Sequence, residues 1–333
     1  MKTKAVVTTE LGGPEVLQLQ DVDLAWPAGE NDVLVDLYAA GLNPADTFFR
    51  QLGGYVTSDQ PFVLGHDGMG VVRDVGPAVT SIEVGDRVAF CNGGLGGTMG
   101  TYAEATVLPD WQLARVPDEV DDLTAAALPL VAITCWEALY DRANLQAGEH
   151  VLIHGGAGGT GHVAIQLARL RGGKVATTVS SPEKAQIVSD LGAELAVNYR
   201  EEDVVAAVRS WSGGVDVALD NAGPEVLQQT YKVMAPYGRI VTLMGTPGDD
   251  DELSAYNQNL TIHNVMMLTP IWHGLEDRLG AQAEIVRQAL ALVASGDLTI
   301  RHAATFALAE AGKAQAMLES GAAIGKVTLR IRE

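Results

Sequence analysis

The first third of the chain alternates between apolar and polar residues over short runs that glycines interrupt. A period of two predicts strands with one buried face, and the frequent breaks favour an antiparallel, barrel-like domain. One helix is predicted inside this region, where Asn43 supplies a cap and Pro44 the first helical position. The predicted strands are residues 4–9, 17–22, 32–39, 71–75, 87–90 and 102–107.

From about residue 128 the pattern changes to strand, glycine turn and helix in repeated order. Such repeats are typical of βαβ units, so we expect an α/β protein in which the barrel accompanies a doubly wound, six-stranded parallel sheet. The chain then ends with a helix, a strand, a helix and a strand, at 283–294, 305–308, 310–319 and 326–331. The strands of the parallel sheet are predicted at 151–154, 174–179, 195–198, 215–220, 240–244 and 260–268.

The composition is that of a globular protein with a strong acidic excess. Its 333 residues are 47% hydrophobic, and 22 basic against 42 acidic residues give a net charge of −20. This charge repels phosphate backbones and anionic membranes, so we expect neither nucleic acid nor a membrane as partner. No apolar run approaches the roughly 18 residues of a membrane span, and the N-terminus lacks a signal-peptide pattern, so a cytoplasmic protein is expected. Cys91 and Cys135 are too few for a disulfide framework or a four-cysteine zinc site.

A glycine-rich turn follows the predicted strand 151–154 and leads directly into a helix. Its pattern, Gly156-x-Gly158-x-x-Gly161, is that of dinucleotide-binding turns, and the strand and helix on either side make the match specific. Glycines there form a tight turn, admit a pyrophosphate to backbone N–H groups and let the strand pack against the helix. We therefore predict that this turn, including Gly159 and Thr160, binds cofactor phosphate. The alternative is a turn of the same shape without a ligand.

The residues after the second strand of the sheet bear on the choice between NADH and NADPH. An NAD site normally carries Asp or Glu at this strand tip, where it binds the ribose hydroxyls. Here Ser180, Ser181 and Lys184 follow the strand. Two hydroxyls and a lysine can bind and neutralise a 2′-phosphate, which a carboxylate would repel, so NADPH is the predicted cofactor. Glu183 is interpreted as a first-turn helix residue, and a solvated helix position is the alternative role of Lys184.

Six different short motifs follow one another along the chain. They lie at residues 41–46 with Arg50, 64–68, 84–88, 100–104, 128–137 and 319–327. Together with the glycine turn they resemble the medium-chain dehydrogenases and reductases, and among these the zinc-independent quinone oxidoreductase or zeta-crystallin branch. The resemblance covers essentially the whole chain. It implies a GroES-like catalytic domain at residues 1–127 and 269–333, a Rossmann domain at 128–268, and a homodimer joined through the last Rossmann strand.

The resemblance also implies roles for single residues. Asn43, Asp46 and Thr134 would border the nicotinamide and the substrate. Simpler roles stay open, with Asn43 and Asp46 as helix caps, Thr134 as a helix-interior hydroxyl and Tyr199 as a packing residue. The other implied residues are Lys184 and Tyr199 beside the adenosine phosphate, and Asn221, Gly245 and Lys326 along the cofactor cleft.

The chain departs from the zinc-dependent members of this superfamily. Their ligands would be a cysteine at Asn43, a histidine at His66 and a cysteine near Leu130, and of these the histidine alone is present. One imidazole without a thiolate does not make the three-ligand site of a catalytic zinc, so no metal is predicted. His66 is then a hydrogen-bonded pocket histidine or a group that assists when protonated. Phe48 stands where many relatives have a tyrosine, which removes one proton donor.

These observations favour hydride transfer from NADPH to a quinone or an α,β-unsaturated carbonyl. Such acceptors spread the incoming charge through a conjugated system, so neutral donors such as Asn43 and Thr134 would suffice without a Lewis acid. Two alternatives stay open: an NADP-dependent alcohol or aldehyde dehydrogenase, and an NADPH-binding protein without turnover. The expected partner is a small organic acceptor.

Overall fold

The structure, a computed structural model, describes residues 1–53, 62–92, 99–245 and 255–333. Its chain forms two compact units, of which Met1–Ile133 with Leu268–Glu333 is the first and Thr134–Met267 the second. The sequence places the first division after residue 127, whereas the chain passes Ile133 inside one continuous helix, Pro129–Trp136. The domain limits given above therefore stay predictions.

The strands are numbered in chain order through the described residues. They are β1 (Lys2–Thr8), β2 (Gln18–Asp23), β3 (Asp32–Gly41), β4 (Phe62–Val63), β5 (Asp67–Val75), β6 (Arg87–Cys91), β7 (Ala105–Pro109), β8 (Ala114–Arg115), β9 (His150–Ile153), β10 (Lys174–Val179), β11 (Leu195–Asn198), β12 (Val215–Asp220), β13 (Met234–Thr242), β14 (Thr261–Asn264), β15 (His302–Ala307) and β16 (Lys326–Arg330).

Two sheets make up the first unit. The larger has the order β15–β16–β3–β5–β6–β8 with β7 also paired to β3, and the smaller has the order β2–β1–β4. Within them β15 and β16 run parallel, while β3 is antiparallel to each of its partners. Most residues of β3 are buried on both faces, as expected for a strand inside a closing sheet. The antiparallel strand pairing predicted for the first third of the chain is confirmed.

The second unit contains one parallel sheet with the order β11–β10–β9–β12–β13–β14. Numbered within this unit, the order is 3-2-1-4-5-6, which is that of a doubly wound nucleotide-binding fold. Leu152, Ala218 and Ile240 from the sheet pack with Leu227 and Tyr231 in one buried cluster. The order reverses between β9 and β12, and such folds bind dinucleotides at the carboxyl ends of the strands beside that point.

Helices connect the strands in both units. Asp121, Ser181 and Asp203 begin three of them, each with a side chain that accepts a hydrogen bond from a first-turn backbone N–H. In the described part of the chain, no helix has the length and apolar character needed to cross a membrane. The α-helices are Pro44–Leu52, Asp122–Ala127, Pro129–Trp136, Gly161–Leu170, Pro182–Asp190, Val204–Ser212, Pro224–Val233, Thr269–Trp272, Glu276–Ser295 and Ala311–Glu319.

Some predicted elements differ from those observed. The strand predicted at 260–268 is wrong in length, because pairing with β13 ends at Asn264. Val265, Met267 and Leu268 are buried in the turn that follows, so their apolar character reflects burial rather than strand pairing. The helix Asp122–Ala127 was missed because its short run of alanines and one leucine carries no clear helical period.

Candidate functional site

The glycine turn begins at the end of β9, where Gly155 has a φ of +63°. A side chain at Gly156 would collide with Thr177 Oγ1 and Ile165, and one at Gly161 would collide with the carbonyl oxygen of Gly155. These contacts require glycine for close approach of strand, turn and helix. Sequence reasoning missed Gly155, although the left-handed conformation at the start of the turn falls on it.

The helix Gly161–Leu170 starts directly behind this turn, with Thr160 as its N-cap residue. Gly158, Gly159 and Thr160 are partly exposed, so their backbone is open to a ligand. The positive end of the helix dipole faces the same side, which favours a pyrophosphate there. The turn is therefore a cradle that fits the phosphates of a dinucleotide.

The polar residues after β10 lie together as the sequence implied. Lys184 Nζ lies 3.0 Å from Ser180 Oγ, and Ser181 Oγ accepts a hydrogen bond of 3.3 Å from the backbone N of Lys184. Tyr199 follows the neighbouring strand β11, where its backbone N donates to Val179 O over 3.1 Å and its side chain is half-exposed. A lysine, a serine hydroxyl beside it and an exposed ring at one strand end suit the phosphorylated ribose of NADPH.

Asn221 and Gly245 lie at the same carboxyl edge of the parallel sheet. A Cβ atom on Gly155 would be 3.5 Å from Asn221 Oδ1, and one on Gly245 would be 3.3 Å from Pro224. The preceding residue, Asp220, fixes this loop because its Oδ1 accepts hydrogen bonds from the backbone N of Ala222 and Gly223. Burial raises the pKa of Asp220, against the effect of these two bonds. The edge of the sheet thus gathers the predicted cofactor residues that belong to the second unit.

A buried histidine lies directly below the glycine turn. His154 is 2% exposed, and its ring contacts Thr178 Oγ1 through Nδ1 at 3.3 Å and Thr230 Oγ1 through Nε2 at 2.9 Å. Burial lowers the pKa of His154 to about 4. The sequence alone does not single out His154 or Thr178, because their side-chain contacts join residues far apart in the chain.

Lys326 belongs to the first unit and is buried there against three acceptors. Its ammonium group donates to Leu42 O at 3.0 Å and to Asn43 Oδ1 at 2.6 Å, and lies 3.5 Å from Asp67 Oδ2. These three contacts use the three hydrogens of the ammonium group. The structure thus places Lys326 on Asn43 and Asp67, and its role along the cofactor cleft stays a prediction.

Asp67 completes this cluster from the start of β5. It accepts from Asn43 Nδ2 at 2.9 Å and from the backbone N of Leu130 at 2.8 Å. Burial raises the pKa of Asp67, while Lys326 opposes the rise. Asn43 is 1% exposed and is held at both ends of its amide, so its side chain is fixed in orientation.

A second group of polar side chains surrounds Asp46, which is fully buried. One carboxylate oxygen contacts His66 Nδ1, and the other accepts from Tyr102 OH at 3.0 Å and from the backbone N of Asn43 at 2.9 Å. Burial, followed by the charge of Asp46, raises the pKa of Tyr102 well above its usual value. Among the described residues, His66 Nε2 has no hydrogen-bond partner although it is buried.

The structure therefore brings Asn43, Asp46 and His66 together in the first unit, within a network that the sequence did not predict. Asn43 is the N-cap residue of the helix Pro44–Leu52, and Asp46 at its third position bonds back to the backbone N of Asn43, as in a capping box. Thr134 lies in the helix Pro129–Trp136, is largely buried and begins the second unit.

Comparison with known proteins identifies the class. An alcohol dehydrogenase GroES-like domain matches residues 29–118, and a zinc-binding dehydrogenase domain matches residues 159–295. The quinone oxidoreductase of Pseudomonas aeruginosa is 33% identical over 330 residues, which cover 98% of this chain and 99% of that protein. The 2-haloacrylate reductase of a Burkholderia species is 32% identical over 336 residues, 98% of each protein. Escherichia coli quinone oxidoreductase complexed with NADPH has a TM-score of 0.88 at 28% identity, covering 98% of this chain and 100% of that chain.

The fold and the glycine turn thus define an oxidoreductase with a nicotinamide cofactor. The chain belongs to the medium-chain dehydrogenase/reductase superfamily, and within it to the branch whose members are named quinone oxidoreductases.

The zinc that this superfamily often carries does not fit the residues present. Asn43 is bound to Lys326 and Asp67, and Leu130 offers a backbone N–H that already bonds Asp67. The ammonium group of Lys326 brings a positive charge to the ligand position itself, which opposes a cation there. In the residue ranges described above, no group of three or more His, Cys, Asp and Glu side chains is arranged to hold a metal ion.

We therefore expect the purified protein to contain no stoichiometric zinc and to keep its activity in chelator, because Asn43 and Leu130 lack the thiolates that a catalytic zinc requires. Elemental analysis of protein purified without added chelator measures this. An equimolar, tightly held zinc would contradict the prediction.

Folding stability should also depend on pH through His154. Its folded pKa of about 4 lies below the solvated value of 6.5, so between these values the unfolded chain binds more protons. The stability contributed by neutral His154 is complete above pH 6.5 and declines as the pH falls toward 4. Between pH 7 and pH 5 this loss is about 2 kcal/mol.

Urea unfolding at both pH values measures the loss in the free energy of unfolding. His154→Asn should reduce the difference between the two free energies. An equal difference in the variant would contradict the assignment.

Proposed function

We propose that this protein is a zinc-independent reductase that transfers a hydride from NADPH to a quinone or an α,β-unsaturated carbonyl. The observation that carries the proposal is the buried cluster of Lys326, Asn43 and Asp67, since it occupies the position of a metal site with hydrogen-bonding groups. NADPH supplies the hydride. The residues of the chain then have to bind the cofactor, orient the acceptor and stabilise the charge that develops on it.

The side-chain amide of Asn43 is suited to act as a neutral hydrogen-bond donor with a fixed orientation. Its Oδ1 faces Lys326 and one hydrogen of Nδ2 faces Asp67, so the second hydrogen of Nδ2 points in a fixed direction. The charge of Lys326 on Oδ1 polarises the amide and strengthens this N–H as a donor. A polarised, fixed donor stabilises charge spread over a conjugated acceptor, where a simple ketone would require a stronger electrophile. The hydroxyl of Thr134 is proposed as a further donor.

His66 is the group that we propose for proton delivery after hydride transfer. Asp46 accepts from His66 Nδ1, so this carboxylate orients the ring. His66 Nε2 is left without a partner in the described ranges and is thus the nitrogen available for exchange. This role is open to His66 because Phe48, which is half-exposed on the helix Pro44–Leu52, has no hydroxyl.

The relatives support the same chemistry. Two are named after acceptors with conjugated double bonds, a quinone and a 2-haloacrylate, and one was crystallised with NADPH. A dehydrogenase acting on simple alcohols needs a strong electrophile at the oxygen, which the polar cluster does not offer. The homodimer and the cytoplasmic location expected from the sequence stay predictions.

The test of the proposed function is an acceptor screen with purified protein. Electron-poor quinones or enones should oxidise NADPH readily, whereas isopropanol with NADP should give little turnover, because a localised alkoxide charge has no Lewis acid to stabilise it. Absorbance of the reduced nicotinamide measures both directions. The proposal is wrong if a secondary alcohol is the best substrate. It is also wrong if the protein binds NADPH but fails to oxidise it with any of the acceptors tested, which is the outcome expected for the non-catalytic alternative.

The same assay tests His66. His66→Asn should lower turnover with the best acceptor about a hundredfold, the lower end of the range for a lost general acid, while NADPH still binds. The matched control is His150→Asn, which makes the same change in a second His–Asp pair, with Asp216, outside the proposed site. Equal turnover in the two variants would exclude His66 as the proton donor.

Cofactor preference should follow the residues after β10. NADPH should bind at least about tenfold more tightly than NADH, or about 1.4 kcal/mol, because Lys184 and Ser180 meet the 2′-phosphate with charge-assisted bonds. Fluorescence titration with both cofactors measures the ratio. Ser180→Asp should weaken the binding of NADPH selectively, since it brings a carboxylate to the phosphate. Ser189→Asp, in the last turn of the helix Pro182–Asp190 that follows Ser180 and Ser181, is the control for added charge. Equal affinities of the unmodified protein for NADPH and NADH would contradict the prediction.

A further inference from the structure

A chain of hydrogen bonds runs from the glycine turn into the core of the second unit, and its direction can be worked out. Thr230 Oγ1 lies 3.1 Å from Val226 O, a contact that is favourable when the hydroxyl donates to the carbonyl. The hydroxyl proton of Thr230 is then engaged with Val226 O, so Thr230 cannot donate it to His154 as well. His154 Nε2, which lies 2.9 Å from the same oxygen, must therefore carry a proton and donate it.

The other half of the chain follows from the charge of the ring. His154 is buried and its pKa is lowered to about 4, so at neutral pH the ring is uncharged. A neutral ring with a proton on Nε2 has an acceptor at Nδ1. Thr178 Oγ1, at 3.3 Å, therefore donates to Nδ1, and its oxygen accepts the backbone N–H of Gly155 over 3.0 Å.

The two ends of this chain lie at the two loops that flank the reversal of strand order. Gly155 opens the phosphate-binding turn after β9, and Val226 is in the first turn of the helix that follows β12 and the loop of Asn221. A dinucleotide in this fold lies across the ends of those two strands. The same hydrogen bonds therefore fix the position of both loops before a cofactor binds.

We propose that His154 is a positioning residue for the cofactor, which as the neutral Nε2–H tautomer holds Gly155 through Thr178 and anchors it to the helix Pro224–Val233 through Thr230. The left-handed conformation of Gly155 is one of several open to a glycine, and the bond from its N–H to Thr178 selects it. A turn ordered in advance binds phosphate more tightly because less ordering remains for the binding step. The inference rests on the proposed function for the identity of the cofactor.

Two pairs of variants separate this role from a general contribution to stability. His154→Asn keeps an acceptor near the position of Nδ1, toward Thr178, and loses the donor toward Thr230. His154→Gln keeps a donor near the position of Nε2 and loses the acceptor toward Thr178. Likewise, Thr178→Ser keeps the hydroxyl that bonds Gly155, whereas Thr178→Val removes it with little change of volume.

Direct titration with whichever of NADPH and NADH binds the unmodified protein more tightly gives the first readout. Thr178→Val and His154→Gln should raise the dissociation constant about fivefold to tenfold, the equivalent of one hydrogen bond. Thr178→Ser should stay within about twofold of the unmodified protein on the same scale. His154→Asn, which keeps the acceptor toward Thr178 but loses the anchor to Thr230, should fall between Thr178→Ser and His154→Gln. Thr328→Val, at a buried threonine of β16 whose hydroxyl bonds Thr305, controls for a lost buried hydroxyl elsewhere.

The second readout is the tautomer of His154, seen by long-range proton–nitrogen correlation in the imidazole and assigned by the loss of its signals in His154→Asn. A proton on Nε2 at pH 7 supports the proposal, and a proton on Nδ1 or a charged ring overturns it. Cofactor affinities that follow the melting temperatures, regardless of which bond is lost, also overturn it. A protein that binds neither cofactor overturns the proposed function as well, whereas unchanged affinities in Thr178→Val and His154→Gln overturn the inference about His154 alone.

Discussion

The buried ion pair between Lys326 and Asp67 holds together the segments that carry the polar residues of the first unit. Lys326 starts β16, Asp67 starts β5, and Asn43 precedes the helix Pro44–Leu52. Removing one partner of a buried pair leaves an uncompensated charge and costs about 3–5 kcal/mol. The pair is tolerated because hydrogen bonds from Asn43 and Leu130 satisfy the remaining carboxylate positions. The same contacts that stabilise these segments also fix the orientation of the Asn43 amide, on which the proposed function depends.

In the second unit the proposed function requires the phosphates of a dinucleotide to come close to the backbone at the edge of a buried sheet. Gly156 and Gly161 allow strand, turn and helix to approach within distances that a side chain would prevent. His154 then fills the space beneath the turn with a polar ring whose two nitrogens are both used. A leucine would fill such a space too, but it would leave the hydroxyls of Thr178 and Thr230 without these partners.

The electrostatics combine an acidic protein with a few basic residues at specific positions. A net charge of −20 opposes the approach of an anionic cofactor, yet at physiological salt such repulsion is screened beyond about 8 Å. Affinity then depends on the groups in contact with the phosphates. Lys184 lies beside Ser180 at the tip of β10, and the helix Gly161–Leu170 has its N-terminus at the glycine turn proposed to bind the pyrophosphate. Local donors thus act against the long-range field of the whole chain.

Several features of this protein follow from local sequence alone. The strands β10, β11 and β12 were predicted at their observed limits, because short apolar runs between glycines and helices leave few other assignments. The glycine turn and the polar tip of β10 were equally clear, since both depend on residues that are neighbours in the chain. The networks around Asp67 and His154 were not predicted, because they join residues that are 259 and 76 positions apart. Lys326 and His66 are candidates from the sequence alone. Only the tertiary structure decides their partners, because long-range contacts form once the sheets of the first unit pack: Lys326 contacts Asn43 and Asp67, and His66 Nε2 has no hydrogen-bond partner within the described ranges.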